Sequence, residues 1–418
     1  MLFILPDQWR PQTLPAAGDK DLVAPALKRL SAEGTTFTRC YVTNPVCSPS
    51  RATLITGRYP HACRMPRNDL QLPLDQPSIA AQFKAAGYQT GYIGKWHLDG
   101  DERPGFVPPG ARRRGFDYWA AFNRGHFYYK SEYYRDAPEP IRPAGYEPDY
   151  QTDLAIDFIK QNRANPFYLF LSWGPPHTPR TPPPRARRYD PRQFRLAPNV
   201  PFAYEDTARQ NMAAYYGLCS SLDDNLSRIL ATLDELKLAD NTLVVFNSDH
   251  GDMLGAQGLE FKGVPFEESA RVPLIMRWPA GGFRRGALDD ALLSNADLMP
   301  SLLALCGAEI PGAVQGRNHA GLLRTGEGDR AESVYSYGKL GAPDEWRMLV
   351  RGLDKLVVNT KGETTHLYNL GQDPFEMRNL ATESGTPART RDELKAHLRA
   401  WVKRVGDGVD PSSGLKVR

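Results

Sequence analysis

The chain has 418 residues, 41% of them hydrophobic and 24% charged, with a formal net charge of +4, which suits one large folded domain plus a smaller one. The positive charge is small and dispersed and no Lys/Arg run alternates with stacking aromatics, so nothing calls for a nucleic-acid partner. No apolar run reaches the roughly 18 residues of a membrane span, and five cysteines (Cys40, Cys47, Cys63, Cys219 and Cys306) without paired spacing exclude a disulfide scaffold.

The opening "MLFIL" lacks the basic flank and cleavage site of a signal peptide and reads as a first strand, so a cytoplasmic, bacterial protein is expected. From there, β-rich apolar runs alternate with helical patterns: residues 22–34, "TFTRCYV", a helix from about Ser50, residues 78–86, and "QTGYIG". The rhythm continues through residues 153–161, "PFYLFLSW", a long helix over 203–238, and "TLVVFNSD". Short strands embedded between helices predict an α/β fold, a mostly parallel sheet covered on both faces. Pro- and Gly-rich loops at 100–115 and 175–201 are long enough to be functional. The "ARRRG" and "RARR" runs within them are expected in solvated loops. Tyr128, Tyr129, Tyr133 and Tyr134 of the insert "GHFYYKSEYY", with the 175–201 loop, offer aromatic walls for a sugar or aryl group; packing against the domain or a second subunit is the favoured expectation, which leaves a homo-oligomer open.

Near residue 331 the pattern changes to closely spaced strands, "SVYSYG", "WRMLVRG", "KLVVNT" and "THLYNL", then a helix over 392–405 carrying Leu394, Leu398 and Trp401 on one face. The division predicted is residues 1–330 and 331–418, the second part a small antiparallel sheet with one helix.

In open α/β sheets, side chains beyond the carboxyl ends of the strands converge on one crevice. Here those positions hold Asp7 and Gln8; Cys47, Ser48, Ser50 and Arg51; Lys95 and His97; His177; Asp249 and His250; and Lys262. Singly, each has an ordinary alternative: a capping aspartate, a hydrogen-bonded loop histidine, a surface lysine, a small buried cysteine. Their shared placement argues for a site. Asp7, Gln8, Asp249 and His250 suit one divalent cation, Ca²⁺, Mg²⁺ or Mn²⁺, the imidazole tilting the set towards Mn²⁺ or another transition metal. Arg51, Lys95, His97, His177 and Lys262 supply donors for an anionic tetrahedral group, so the substrate class is a sulfate, phosphate or phosphonate ester. A thiol at position 47 sits badly beside a hard cation; it implies either a soft metal or a modified residue.

"CSPSRATLITGRYP" resembles the sulfatase signature CxPSRxxLxTGR, whose cysteine is oxidised after translation to formylglycine. "GKWHL", "SDHGDMLG", "EESARVPLIMRWP" and "LYNLGQDPFEMRNL" resemble further blocks of that family in the expected order. The resemblance implies an alkaline-phosphatase-like α/β/α sandwich with a smaller C-terminal unit, and sulfate-ester hydrolysis on a small molecule or glycan. It implies a cation, Ca²⁺ first, held by Asp7, Gln8, Asp249 and His250 with the modified Cys47, and a formylglycine-generating enzyme as maturation partner. Arg51 would hold the modified residue, Lys95 and His97 would contact it or the sulfate, and His177 and Lys262 would sit near the leaving oxygen. The hydrated aldehyde would supply the nucleophile, and its second hydroxyl, deprotonated by His97, would expel sulfate.

Asp7-Gln8 with Asp249-His250 also resembles the phosphonate monoester hydrolase branch, which makes phosphonate monoester or phosphodiester hydrolysis the alternative. The Lys/His pair of "GKWHL" is that of sulfatases. Gln257 stands where the family commonly has histidine.

Overall fold

The computed structural model describes residues 1–410 and 416–417. Its large sheet is built from β1 (Leu2–Ile4), β2 (Thr35–Tyr41), β3 (Gln89–Lys95), β4 (Tyr118–Phe122), β5 (Phe167–Ser172), β6 (Val244–Asn247), β7 (Arg271–Arg277), β8 (Ala287–Asp289) and β9 (Leu293–Ser294). The spatial order is β4-β3-β5-β1-β6-β7-β2-β8, with β9 also paired to β2. All pairings are parallel except those of β7, which runs antiparallel to β6 and to β2. A parallel return needs a crossover of a dozen or more residues, usually helical. Residues 248–270 instead run through the functional loops and one short helix, α6 (Glu267–Ala270), before turning back. β4, β7, β8 and β9 add four strands to those expected from the sequence pattern.

Side chains alternate across the sheet with the two-residue period of a strand. Along β1, Phe3 joins one core and Leu2 and Ile4 the other. The first core is covered by α2 (Cys47–Thr56), α3 (Ile79–Ala85), α7 (Leu298–Leu305) and α8 (Ala320–Thr325). The second is covered by α1 (Pro25–Glu33), α4 (Glu147–Gln161) and the long α5 (Glu205–Glu235). This is the expected α/β/α sandwich.

The C-terminal sheet is an antiparallel meander of β10 (Ser333–Gly338), β11 (Trp346–Arg351), β12 (Asp354–Asn359) and β13 (Thr364–Asn369), covered by α9 (Thr386–Val405). Leu394, Leu398, Trp401, Val402 and Val405 pack on it, together with Tyr59 of the large domain. On the sheet's other side Val334, Met348, Val350 and Val357 meet Tyr41, Ala270 and Leu292. The two parts therefore share cores.

An ionic tie reinforces this contact. Lys355 is fully buried, with Glu267 at 3.1 Å and Glu376 at 2.6 Å. Glu376 also accepts from the Glu267 amide at 2.8 Å, and Gln257 donates to the carbonyls of Phe375 and Glu376. Gln257 thus fastens a loop to the C-terminal unit. The arginine runs divide: Arg185 lies at the surface paired with Asp149, whereas Arg113 is buried over Trp119 and Arg114 is buried too. That corrects the expectation of a solvated loop, because Arg113 donates to the Val107 and Arg135 carbonyls and Arg114 to the Gln76 carbonyl.

Replacing Lys355 by Met leaves the buried Glu376 without its cation and Glu267 with Arg271 alone, a change that costs about 3–5 kcal/mol. Urea unfolding of Lys355→Met should show a loss of that size, and a midpoint equal to wild type would exclude the tie as a stabilising element.

Candidate active site

Four adjacent strands, β3, β5, β1 and β6, end at one place, and Arg51 of α2 joins their ends. Its Nη1 donates to the Lys95 carbonyl at 2.8 Å and to Ser172 Oγ at 2.7 Å. Its Nη2 and Nε reach Asp7 Oδ2 at 3.1 Å and Asp249 Oδ2 at 2.9 Å. The guanidinium is 2% exposed and both aspartates are fully buried. The bonds of Arg51 thus go to the carboxylates and strand ends.

With Oδ2 held, Asp7 and Asp249 turn Oδ1 inward. His250 Nε2 lies 3.5 Å from Asp7 Oδ1, 3.7 Å from Asp249 Oδ1 and 3.2 Å from Cys47 Sγ. His250 Nδ1 is 3.0 Å from the Gly251 carbonyl, which can only accept, so Nδ1 carries the proton and Nε2 offers its lone pair. One donor atom from each of Asp7, Cys47, Asp249 and His250 falls within 4.8 Å of all the others. Burial alone would lower the His250 pKa, but Asp249 and Cys47 raise it above the ordinary imidazole value. The centre of the cluster thus favours positive charge, and its oxygen, nitrogen and sulfur donors fit a divalent cation.

Cys47 opens α2, three residues earlier than Ser50, with Val46 as N-cap and Pro49 in the first turn, where a missing amide hydrogen costs nothing. The Ser48 amide is taken by Asn68 at 2.9 Å, and Ser48 Oγ donates to the His97 carbonyl at 2.7 Å. Burial and Asp7 push the Cys47 thiol up, yet Lys262, Lys95 and His250 outweigh them and bring it below the ordinary thiol range.

Gln8 is anchored at both ends of its amide. Its Oε1 accepts from Lys262 at 2.6 Å and its Nε2 donates to Asp252 at 2.6 Å. The amide oxygen keeps a second lone pair beside the bond from Lys262. Lys262 Nζ also contacts His177 Nε2 at 2.6 Å. Since His177 Nδ1 faces the Thr178 carbonyl at 2.7 Å, Nε2 is the acceptor and the lysine carries the shared proton. Burial, with Lys262 and Lys95 nearby, holds His177 well below the imidazole range although Asp7 pulls the other way.

His97 is held in a left-handed backbone conformation at φ 58°, as is Gln8 at φ 71°, a strain typical of functional sites. His97 Nε2 faces Asp69 Oδ1 at 3.1 Å, and its Nδ1 has no partner among the described residues. Burial first, then Lys95 and Arg51, keep this imidazole well below its usual range, so Nδ1 is a free base.

One further residue belongs here. Lys95 Nζ bonds Asp7 at 2.5 Å and faces His126 Nε2 at 3.2 Å, and the His126 ring stacks on His177 with centroids 3.7 Å apart. Tyr128 links the pair from behind, its hydroxyl 3.3 Å from His126 Nδ1 and donating to the His177 carbonyl at 2.7 Å. His126 follows β4, so the rule that found the other site residues would have found it had "YWAAF" been read as a strand. Tyr128, Tyr133 and Tyr134 are buried, as packing requires, whereas Tyr129 is 40% exposed.

In front of Cys47 a pocket of about 290 Å³ is lined by Lys95, His97, His126, His177 and Lys262, with Asn68, Arg103, Arg124, Gly125 and Phe127 at its outer wall.

Comparison with known proteins agrees with this geometry. Residues 1–308 match the sulfatase family, and residues 255–404 match the C-terminal region of N-sulphoglucosamine sulphohydrolase. An ulvan-active sulfatase of Formosa agariphila is 34% identical over 97% of this chain and 81% of its own. A Bacteroides fragilis protein assigned as the sulfatase yidJ superposes with a TM-score of 0.91 at 29% identity, covering 100% of this chain and 97% of its own. The phosphonate monoester hydrolase of Silicibacter pomeroyi is more distant, with a TM-score of 0.81 at 25% identity over 97% and 95% of the two chains. The chain therefore belongs to the sulfatase family, in the alkaline-phosphatase-like fold, and is a sulfuric ester hydrolase.

Proposed function

We propose that Cys47, converted to formylglycine by a maturation enzyme, hydrolyses a carbohydrate sulfate beside a divalent cation held by Asp7, Asp249 and His250. The observation that carries this reading is chemical: a single thiol, 3.2 Å from His250 Nε2 and 3.9 Å from Asp7 Oδ1, completes an otherwise hard ligand set. A hydrated aldehyde there supplies a hard oxygen nucleophile, and the cation, Ca²⁺ with Mn²⁺ next in fit, supplies fixed positive charge. A saccharide as the organic half is supported by the relative named for activity on ulvan.

The residues of the pocket have separable tasks. Lys95 is fully buried between Asp7 and His126, which leaves one of its three N–H groups for a sulfate oxygen. Lys262 spends two N–H groups on Gln8 and His177, and the third can protonate the leaving oxygen as the S–O bond breaks. The lysine then recovers a proton from water. His97, neutral with Nδ1 unpaired, accepts the proton whose loss releases sulfate. Arg51 touches no reacting atom and holds the carboxylates in register.

Matured protein offered an aryl sulfate and the matching aryl phosphonate monoester should prefer the sulfate, lose turnover on chelation, and regain it with Ca²⁺ or Mn²⁺. A preference for the phosphonate by several decades would reverse the assignment. Lys262→Ala should lower kcat by about 10²–10⁴-fold for an alkyl or sugar sulfate. For 4-nitrophenyl sulfate, whose leaving group needs no proton, the loss should be far smaller; equal losses on both would remove Lys262 from proton delivery.

A further inference from the structure

The pocket holds more positive charge than one sulfate requires. Its wall contains Lys95, Lys262, Arg103 and Arg124 and no carboxylate. Lys95 is balanced by Asp7, and Arg124 pairs with Asp69, the carboxylate that also orients His97. Lys262 contacts only the uncharged Gln8 and His177 and is left to face the sulfate and its leaving oxygen. Arg103 is exposed to solvent on the same wall and makes no ion pair among the described residues. Its charge reaches Asp69, but that carboxylate is already paired with Arg124, so Arg103 is the one guanidinium of this wall without an ion pair among the described residues.

Beside it stands Phe127, 54% exposed, unusual for a phenylalanine lining a charged pocket. Its ring is seated against Gly125, where φ is +142° and an added Cβ would lie 3.1 Å from Phe127 Cε2. The glycine leaves room for that ring edge, and more than half of the side chain stays open to solvent. An open aromatic face beside a free guanidinium fits a pyranose ring that carries an anion: the ring covers the aromatic and the planar fork takes two oxygens of a carboxylate or sulfate. About 290 Å³ is at the low end for ligand pockets, in keeping with one sugar unit.

We propose that the substrate is a sulfated sugar bearing a second anionic group, a carboxylate or another sulfate, which Arg103 grips while the sugar ring rests on Phe127. This rests on the sulfatase reading above.

The test uses matured full-length enzyme and four substrates: a neutral monosulfated hexose, its uronate counterpart, its disulfated counterpart, and 4-nitrophenyl sulfate. One anionic sugar is expected to exceed the neutral sugar in kcat/KM by about 10- to 100-fold, and which one identifies the second anion. In Arg103→Ala that ratio should collapse towards one, with partial retention in Arg103→Lys, and added salt should shrink it in wild type. An unchanged ratio in Arg103→Ala, or equal use of neutral and anionic sugars by wild type while 4-nitrophenyl sulfate is still cleaved, overturns the inference alone. No turnover of any of the four overturns the sulfatase reading itself.

Discussion

The site depends on one buried guanidinium. Arg51 sits on a helix whose ten residues are all buried, and it bonds to groups at the ends of β3, β5, β1 and β6, four neighbours in the sheet. A lysine has the charge but lacks the planar fork needed to satisfy two carboxylates, a carbonyl and a hydroxyl together. By taking one oxygen from each aspartate, Arg51 leaves the other oxygen directed at His250 and Cys47. The same bonds offset the cost of burying two carboxylates, since an unpaired buried charge is expensive. The helix and the sheet are thereby locked in the register that puts residue 47 against the ligand set.

Around that lock the histidines are sorted by which nitrogen is already occupied. His250 and His177 give Nδ1 to backbone carbonyls, so their Nε2 atoms act as acceptors. His97 is the reverse: Nε2 faces Asp69 and Nδ1 is left free. His126 stands between Lys95 and Tyr128 and lies against His177, joining the sulfate-binding side of the pocket to the leaving-group side. The left-handed conformations of Gln8 and His97 show that the backbone bends at both strand ends to present these groups.

Much of this was legible in residue order, because the strands of an α/β sheet deliver the residues at their carboxyl ends to one crevice. Asp7, Cys47, Arg51, Lys95, His97, His177, Asp249, His250 and Lys262 all converge as that rule requires. The parts that were not legible have physical causes. His126 escaped because β4, buried and rich in aromatic and alanine residues, carries no two-residue alternation of polarity. Gln8 reads as an oxygen ligand, but its tie to Lys262, 254 positions away, is not visible in the sequence. Arg113 and Arg114 look solvated until the chain is seen folding back over Trp119. Such outcomes are set by contacts distant in sequence, which local pattern does not encode.

The hard–soft mismatch at position 47 makes a chemical demand that one measurement meets directly. Mass spectrometry of the tryptic peptide spanning residues 40–51, from active protein made in its native host, should find an aldehyde in place of the Cys47 thiol. An intact thiol at residue 47 in fully active enzyme would contradict the account.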